Sequence, residues 1–143
     1  MSLYHWGLAY PWGENEVPLP GTFEALLRGQ DIGPGADGHA VPDFYATYAD
    51  GHDRPMAIVE TAILYDPAAP AGPTEAELKT AWFEQVFGAS TRTAFPRIGM
   101  LSWFEWRKHE SEVSRVIDWR LGSDPALARS LLDDAPSWLI FGG

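Results

Sequence analysis

The 143 residues have the length of one ordinary domain, and seven Trp, seven Phe and five Tyr within a 45% apolar chain supply more core than a disordered segment carries. Twenty acids against ten Lys plus Arg leave a formal charge of −10, a field that repels nucleic acid and anionic lipid but tolerates a neutral, polyhydroxylated ligand. With no cysteine in the chain, disulfides, thiolate nucleophiles and Cys-type zinc sites are excluded.

Met1 to Trp6 reads as a short strand entered partway through. Residues 9–21 are rich in Pro and Gly (Pro11, Gly13, Pro18, Pro20, Gly21) and read as a loop. Thr22 is placed to cap a short helix, Phe23 to Arg28, which Gly29 ends. A second loop is expected over residues 30–40, and Pro42 then starts a helical segment from Asp43 to Asp50 that Gly51 stops. The run Met56-Ala57-Ile58-Val59 ends on Glu60 and suits a parallel strand buried on both faces.

After a proline-rich loop, residues 66–73, Thr74 and Glu77 form a capping-box pair ahead of a helix with Leu78, Trp82 and Val86 on one face, closed by Gly88. Ile98 to Trp103 is a further apolar strand, followed by a polar loop from Glu105 to Ser114 and an extended piece from Val116 to Leu121. Ser123-Asp124-Pro125 starts the last helix, with Leu127, Leu131 and Leu132 as its buried stripe. Strand and helix therefore alternate three times, the pattern of a parallel sheet with crossover helices. Three strands cannot close a barrel of about 250 residues, so the expectation is either a small open sheet or part of something larger, and the abrupt first strand favours the second. No run of about 18 apolar residues is present to suggest a transmembrane helix, and no basic region followed by an apolar run marks a signal peptide.

Glu60 is the first candidate for chemistry. At the end of a parallel strand it stands on the carboxyl edge, where barrel active sites are built; a carboxylate there can attack an anomeric carbon, or merely tie the following loop. Tyr4, ending the first strand, is placed to hydrogen-bond Glu60 or to fill a barrel rim. Trp103 ends the third strand on the same edge as a sugar floor or a core residue, while Trp6, Trp12 and Trp106 lie in or beside the edge loops. His5 is close enough to contact a sugar, and His39, His52 and His109 are read as loop residues; the four show no metal-ligand spacing. Glu105 is the fallback carboxylate, and Asp118 is expected to pair with an arginine. Trp82 and Trp138 are expected on helices as packing residues.

Three pieces in order, Arg54-Pro55-Met56-Ala57-Ile58-Val59-Glu60-Thr61, the Trp82 helix before Phe95-Pro96, and Met100-Leu101-Ser102-Trp103-Phe104-Glu105-Trp106 with Asp118-Trp119-Arg120, resemble the seventh strand, seventh helix and eighth strand of glycoside hydrolase family 26. Ser2-Leu3-Tyr4-His5-Trp6-Gly7 resembles the end of its sixth strand. The resemblance implies an α/β fold: residues 1–143 as the C-terminal fragment of a (β/α)8 TIM barrel, holding its last three βα units, strands six to eight. It implies retaining hydrolysis of a β-linked polysaccharide, mannan first, with Glu60 as nucleophile, Tyr4 contacting it, Trp103 lining the subsite where the sugar is attacked, and no cofactor or metal. The family's general acid/base belongs to the fourth strand, so the chain alone is expected to be silent or very weak, with its sheet edges and core face partly uncovered. The intact parent is expected to be secreted, with any leader upstream. Two other readings stay open: a non-catalytic carbohydrate-binding module using Tyr4, Trp12, Trp103 and Trp106, and a homodimer in which uncovered sheet edges pair two half-barrels.

Overall fold

The apolar runs at Met56 and Ile98 form strands of a three-stranded parallel sheet, the first at its centre and the second along one edge. The computed structural model describes residues 1–30 and 41–141. Within it β1 (Ser2–His5), β2 (Met56–Ile63) and β3 (Ile98–Trp103) lie in the order β1-β2-β3. An antiparallel hairpin, β4 (Arg107–Glu110) and β5 (Arg115–Asp118), follows β3. Most of the loop expected over residues 30–40, with His39, lies outside the described residues.

Helices cover one face of the sheet. α1 (Thr22–Leu27), the π-helical turn Tyr45–Asp50, α2 (Glu75–Phe87) and α4 (Pro125–Asp133) contribute Phe23, Leu27, Tyr45, Leu78, Trp82, Val86 and Leu131 to one cluster with Leu3, Ile58, Ile63 and Ile98 of the strands. Trp82 is fully buried at its centre; its indole N–H donates to Thr61 Oγ1 (3.0 Å), and the Thr61 hydroxyl donates to the Leu3 carbonyl (2.7 Å). One side-chain network thus ties α2 to two strands and leaves the indole N–H satisfied. The hairpin packs on part of the opposite face, through Ala62, Leu64, Ile117 and Trp119, and leaves Ser2 exposed there.

The capping box forms as the sequence spacing requires: Glu77 N–H donates to Thr74 Oγ1 (3.2 Å) and Thr74 N–H to Glu77 Oε2 (2.7 Å). Asp124 likewise caps α4, accepting from the Ala126 and Leu127 amides. At the end of α1, Gly29 holds φ +69, and a Cβ there would stand 2.2 Å from the Val41 carbonyl oxygen, so only glycine fits.

Several expectations need correcting. Thr22 does not cap α1: Gly21 holds that position, and the Thr22 hydroxyl turns back to the Leu19 carbonyl. The polar loop after β3 holds β4, because pairing with β5 orders Arg107-Lys108-His109-Glu110, which has no hydrophobic alternation of its own. Gly88 ends α2 but a further helix, α3 (Ala89–Ala94), begins directly after it. Leu132 is exposed, leaving Leu131 as the buried residue of α4 and Leu127 half-buried. Trp138 lies in a turn beyond α4.

β2 also runs past Glu60 to Ile63, because β1 supplies a full ladder beside it: Ser2 pairs with Glu60, Leu3 with Thr61, Tyr4 with Ala62 and His5 with Ile63. On the other side Ile58 stands opposite Leu101 and Thr61 opposite Trp103, three steps on β2 against two on β3. This bulge changes which residues face the helices, from Met56 and Ile58 before it to Thr61 and Ile63 after it. Glu60 is thereby released from the helix face onto that of Ser2 and Tyr4. Val59 and Met100 remain exposed on the strands.

Candidate functional site

β1 and β2 set the geometry around Glu60. Alternation along β1 puts Ser2 and Tyr4 on one face, and their ladder partners Glu60 and Ala62 share it. Tyr4 lies diagonally across from Glu60, within reach of a long side chain. Its hydroxyl donates to Glu60 Oε2 at 2.9 Å, and the Ser2 hydroxyl donates to the same oxygen at 3.0 Å. Among the described residues Oε1 accepts no hydrogen bond. One carboxylate oxygen is therefore held and the other is open.

Burial, then the hydrogen bond to Glu60 and its charge, and last the charge of Glu110, push the Tyr4 phenol well above its ordinary value. Tyr4 stays protonated and remains a donor to Glu60 throughout the neutral range. The phenol ring is fixed by aromatic edges: Phe104 at 5.5 Å, Trp119 at 5.3 Å and Trp6 at 6.5 Å between centroids. Trp119, fully buried, donates from Nε1 to Glu110 Oε1 at 2.6 Å, and Lys108 pairs with Glu110 at 3.2 Å.

The remaining candidates fall in different places. Trp6 joins this face, 4.9 Å from Trp119, and leads to Trp12, which is half-exposed. Trp106 is also exposed, at the foot of the hairpin, where its carbonyl accepts the Trp119 amide. Trp103 is not brought into the Glu60 face: its ring lies against Phe83 and Phe87 of α2, with its indole N–H on the Trp119 carbonyl at 2.7 Å. Its neighbour Phe104 takes the position against Tyr4, as alternation at a strand end dictates.

His5 follows the same rule. Because Tyr4 faces Glu60, His5 must face the helices, where it stacks on Trp82 at 5.6 Å and is only 4% exposed. Burial pushes its pKa down to about 4, partly opposed by the backbone and charge of Glu16. Its buried Nε2 has no protein partner among the described residues. The expected sugar contact from His5 is therefore not what its position offers.

Glu105 and Glu110 both have their carboxylates engaged away from Glu60. Glu105 accepts the Leu121 and Gly122 amides and closes its own loop, and Glu110 is committed to Trp119 and Lys108. Asp118 pairs bidentately with Arg120 at 2.9 and 2.7 Å; burial acts to raise its pKa, but the bonds to Arg120 outweigh it and hold the carboxyl below the usual range. No cluster of three metal-ligating side chains occurs among the described residues, nor does any helix there have the length and apolarity to cross a membrane. A cavity of about 630 Å³ beside β3 and residues 138–141 contains Arg92 as its ionisable lining residue, which offers no acid–base pair.

Sequence reasoning missed Ser2, Phe104, Trp119 and Glu110 as neighbours of the Tyr4–Glu60 pair. Ser2 was accessible through alternation, two residues before Tyr4; the others depend on the hairpin folding over the sheet. Compared with protein-family models, curated proteins and solved structures, the chain matches none.

Proposed function

We propose that Tyr4 and Glu60 form the nucleophile half of a retaining glycoside hydrolase site, in a chain that supplies strands six to eight of a (β/α)8 barrel resembling glycoside hydrolase family 26. The observation that supports it is the asymmetric carboxylate: Oε2 takes two hydroxyl donors while Oε1 is open among the described residues. Two donors fix the direction of the carboxylate and leave Oε1 free to approach an anomeric carbon, which is what nucleophilic attack requires. Glu60 Oε1 forms the ester bond to that carbon as the glycosidic bond breaks, and the leaving oxygen takes the electron pair. Water then hydrolyses the glycosyl-enzyme. A retaining site places a second carboxyl about 5–5.5 Å away; that acid/base is assigned to strands outside these 143 residues. The substrate class is a neutral, β-linked polysaccharide, mannan first, and the intact enzyme is assigned to the cell exterior.

A dinitrophenyl β-mannoside tests this with the chain as it is, because its leaving group departs without a proton donor. Without a base to activate water, the ester should accumulate, giving a burst of about one dinitrophenolate per chain and slow turnover after it. Glu60→Gln should abolish the burst. A second reading, a non-catalytic sugar-binding module, draws on the exposure of Trp12 and Trp106. Sugar binding that survives Glu60→Gln, with no burst from the unaltered chain, would favour it.

A further inference from the structure

The loop after β1 carries its largest apolar side chains outward. Tyr10 is 82% exposed and Trp12 48%. Neither is loose surface: Tyr10 meets Trp12 edge-on at 5.5 Å, Trp12 meets Trp6 at 6.4 Å, and Trp6 meets Tyr4 at 6.5 Å. The rings make a continuous ladder of edge-on and tilted contacts from solvent to the tyrosine that holds Glu60.

The backbone beneath the ladder is rigidly tied. Asn15 and Asp66 exchange two hydrogen bonds, Asn15 Nδ2 to the Asp66 carbonyl at 3.0 Å and the Asp66 amide to Asn15 Oδ1 at 2.8 Å. Arg115 donates to the Gly13 carbonyl at 3.0 Å and pairs with Asp66 at 3.4 Å. The Leu8 amide donates to Glu16 at 2.8 Å and the Gly13 amide to the Trp6 carbonyl at 3.3 Å. Gly13 itself holds φ +117 with a Cβ direction 3.0 Å from Val113, so the turn that presents Trp12 depends on glycine. A loop ordered this tightly could have turned its rings inward; instead it holds them in water, which costs hydrophobic free energy unless a ligand covers them. Pre-ordering also lowers the entropy lost on binding.

We propose that this ladder is a run of distal subsites for β-linked oligosaccharide, with Tyr10 as the platform furthest from Glu60, so that the site selects chains of several sugar units over short ones. The proposal rests on the reading of Glu60 given above. Sugar C–H faces cover aromatic rings, and Glu14 and Arg115, both exposed and paired beside Gly13 at 3.5 Å, offer polar partners for hydroxyls at the ladder's side. The −10 charge of the chain argues for a neutral occupant over a polyanion.

Titration of the 143-residue chain with mannobiose and mannohexaose, and with cellobiose and cellohexaose, tests it by calorimetry or tryptophan fluorescence. In at least one series the hexaose should bind about tenfold tighter than the biose. Tyr10→Ala and Trp12→Ala should each weaken the hexaose about fivefold to tenfold, the size of one lost aromatic contact, with the loss falling on the hexaose and not the biose. Tyr10→Phe, which keeps the ring, should restore the tighter binding. Equal affinity for biose and hexaose in both series, or hexaose binding indifferent to both alanine variants, would overturn the proposal. The two claims separate by reagent: the burst on a monosaccharide glycoside reads Glu60, and length dependence reads the ladder.

Discussion

His5 gives the fold a defined sensitivity to acid. The imidazole is buried against Trp82, and its pKa falls from 6.5 to about 4 because burial penalises the charged form. Above 6.5 neither the folded nor the unfolded chain holds the proton, so stability is independent of this group. As pH falls below 6.5 the unfolded chain takes up a proton that the folded chain refuses until about 4, and stability is lost across that window. A difference of about 2.5 in pKa at 1.36 kcal/mol each makes the full loss about 3 kcal/mol, of which about 2.5 kcal/mol has gone by about pH 4.5. Urea unfolding followed by tryptophan fluorescence, on the unaltered chain and on His5→Phe, isolates the effect because the carboxylates titrate in both. The stability difference between the two should move by about 2.5 kcal/mol in favour of the variant between about pH 7.5 and about pH 4.5. A difference constant to within about 0.5 kcal/mol over that range would refute a buried neutral His5.

Three further outcomes follow from the helix layer. Trp82→Ala should lower unfolding free energy by about 3–5 kcal/mol in the same urea assay, since it removes a fully buried ring and the Thr61 bond together. Lys79, fully buried, is bonded to Glu75, the Arg120 carbonyl and Ser123; Glu75→Ala removes its directly paired counter-ion and should cost about 3 kcal/mol, whereas Lys79→Met should cost under about 1 kcal/mol. Equal losses for those two variants would mean the Lys79 charge is not the quantity at stake. Thr74→Ala should cost about 1 kcal/mol by thermal unfolding, through loss of the α2 capping box.

What could be read from the sequence was what depends on local chemistry. The Thr74–Glu77 spacing and the Leu78, Trp82, Val86 stripe specify α2 without outside help, and the apolar runs at Met56 and Ile98 were legible as strands, although the second lies at the sheet edge with Met100 exposed. The Tyr4–Glu60 contact was legible as a pairing of neighbouring strands, although Glu60 proves to lie inside β2 and not at its end. The bulge that turns Glu60 onto Tyr4's face was not, because it is defined by how Ile58 and Thr61 register against β3. Arg107-Lys108-His109-Glu110 has no apolar member, so its strand exists only by pairing with β5, and with it the placement of Trp119 and Glu110 stayed hidden. Trp103 was assigned to the site as the end of its strand on the same sheet edge and His5 as the neighbour of Tyr4, where the one-residue alternation of a strand sends each ring against α2 instead.

The most direct test of Glu60 as nucleophile is mass spectrometry of the chain after incubation with an activated 2-fluoro β-mannoside. Its fluorine slows hydrolysis of the ester, and its dinitrophenolate leaving group removes the need for the acid. One covalently bound sugar per chain, mapped after proteolysis to the peptide containing Glu60 and missing in Glu60→Gln, is the expected result. A chain recovered unlabelled after prolonged incubation, or a label carried by a different residue, would contradict the assignment.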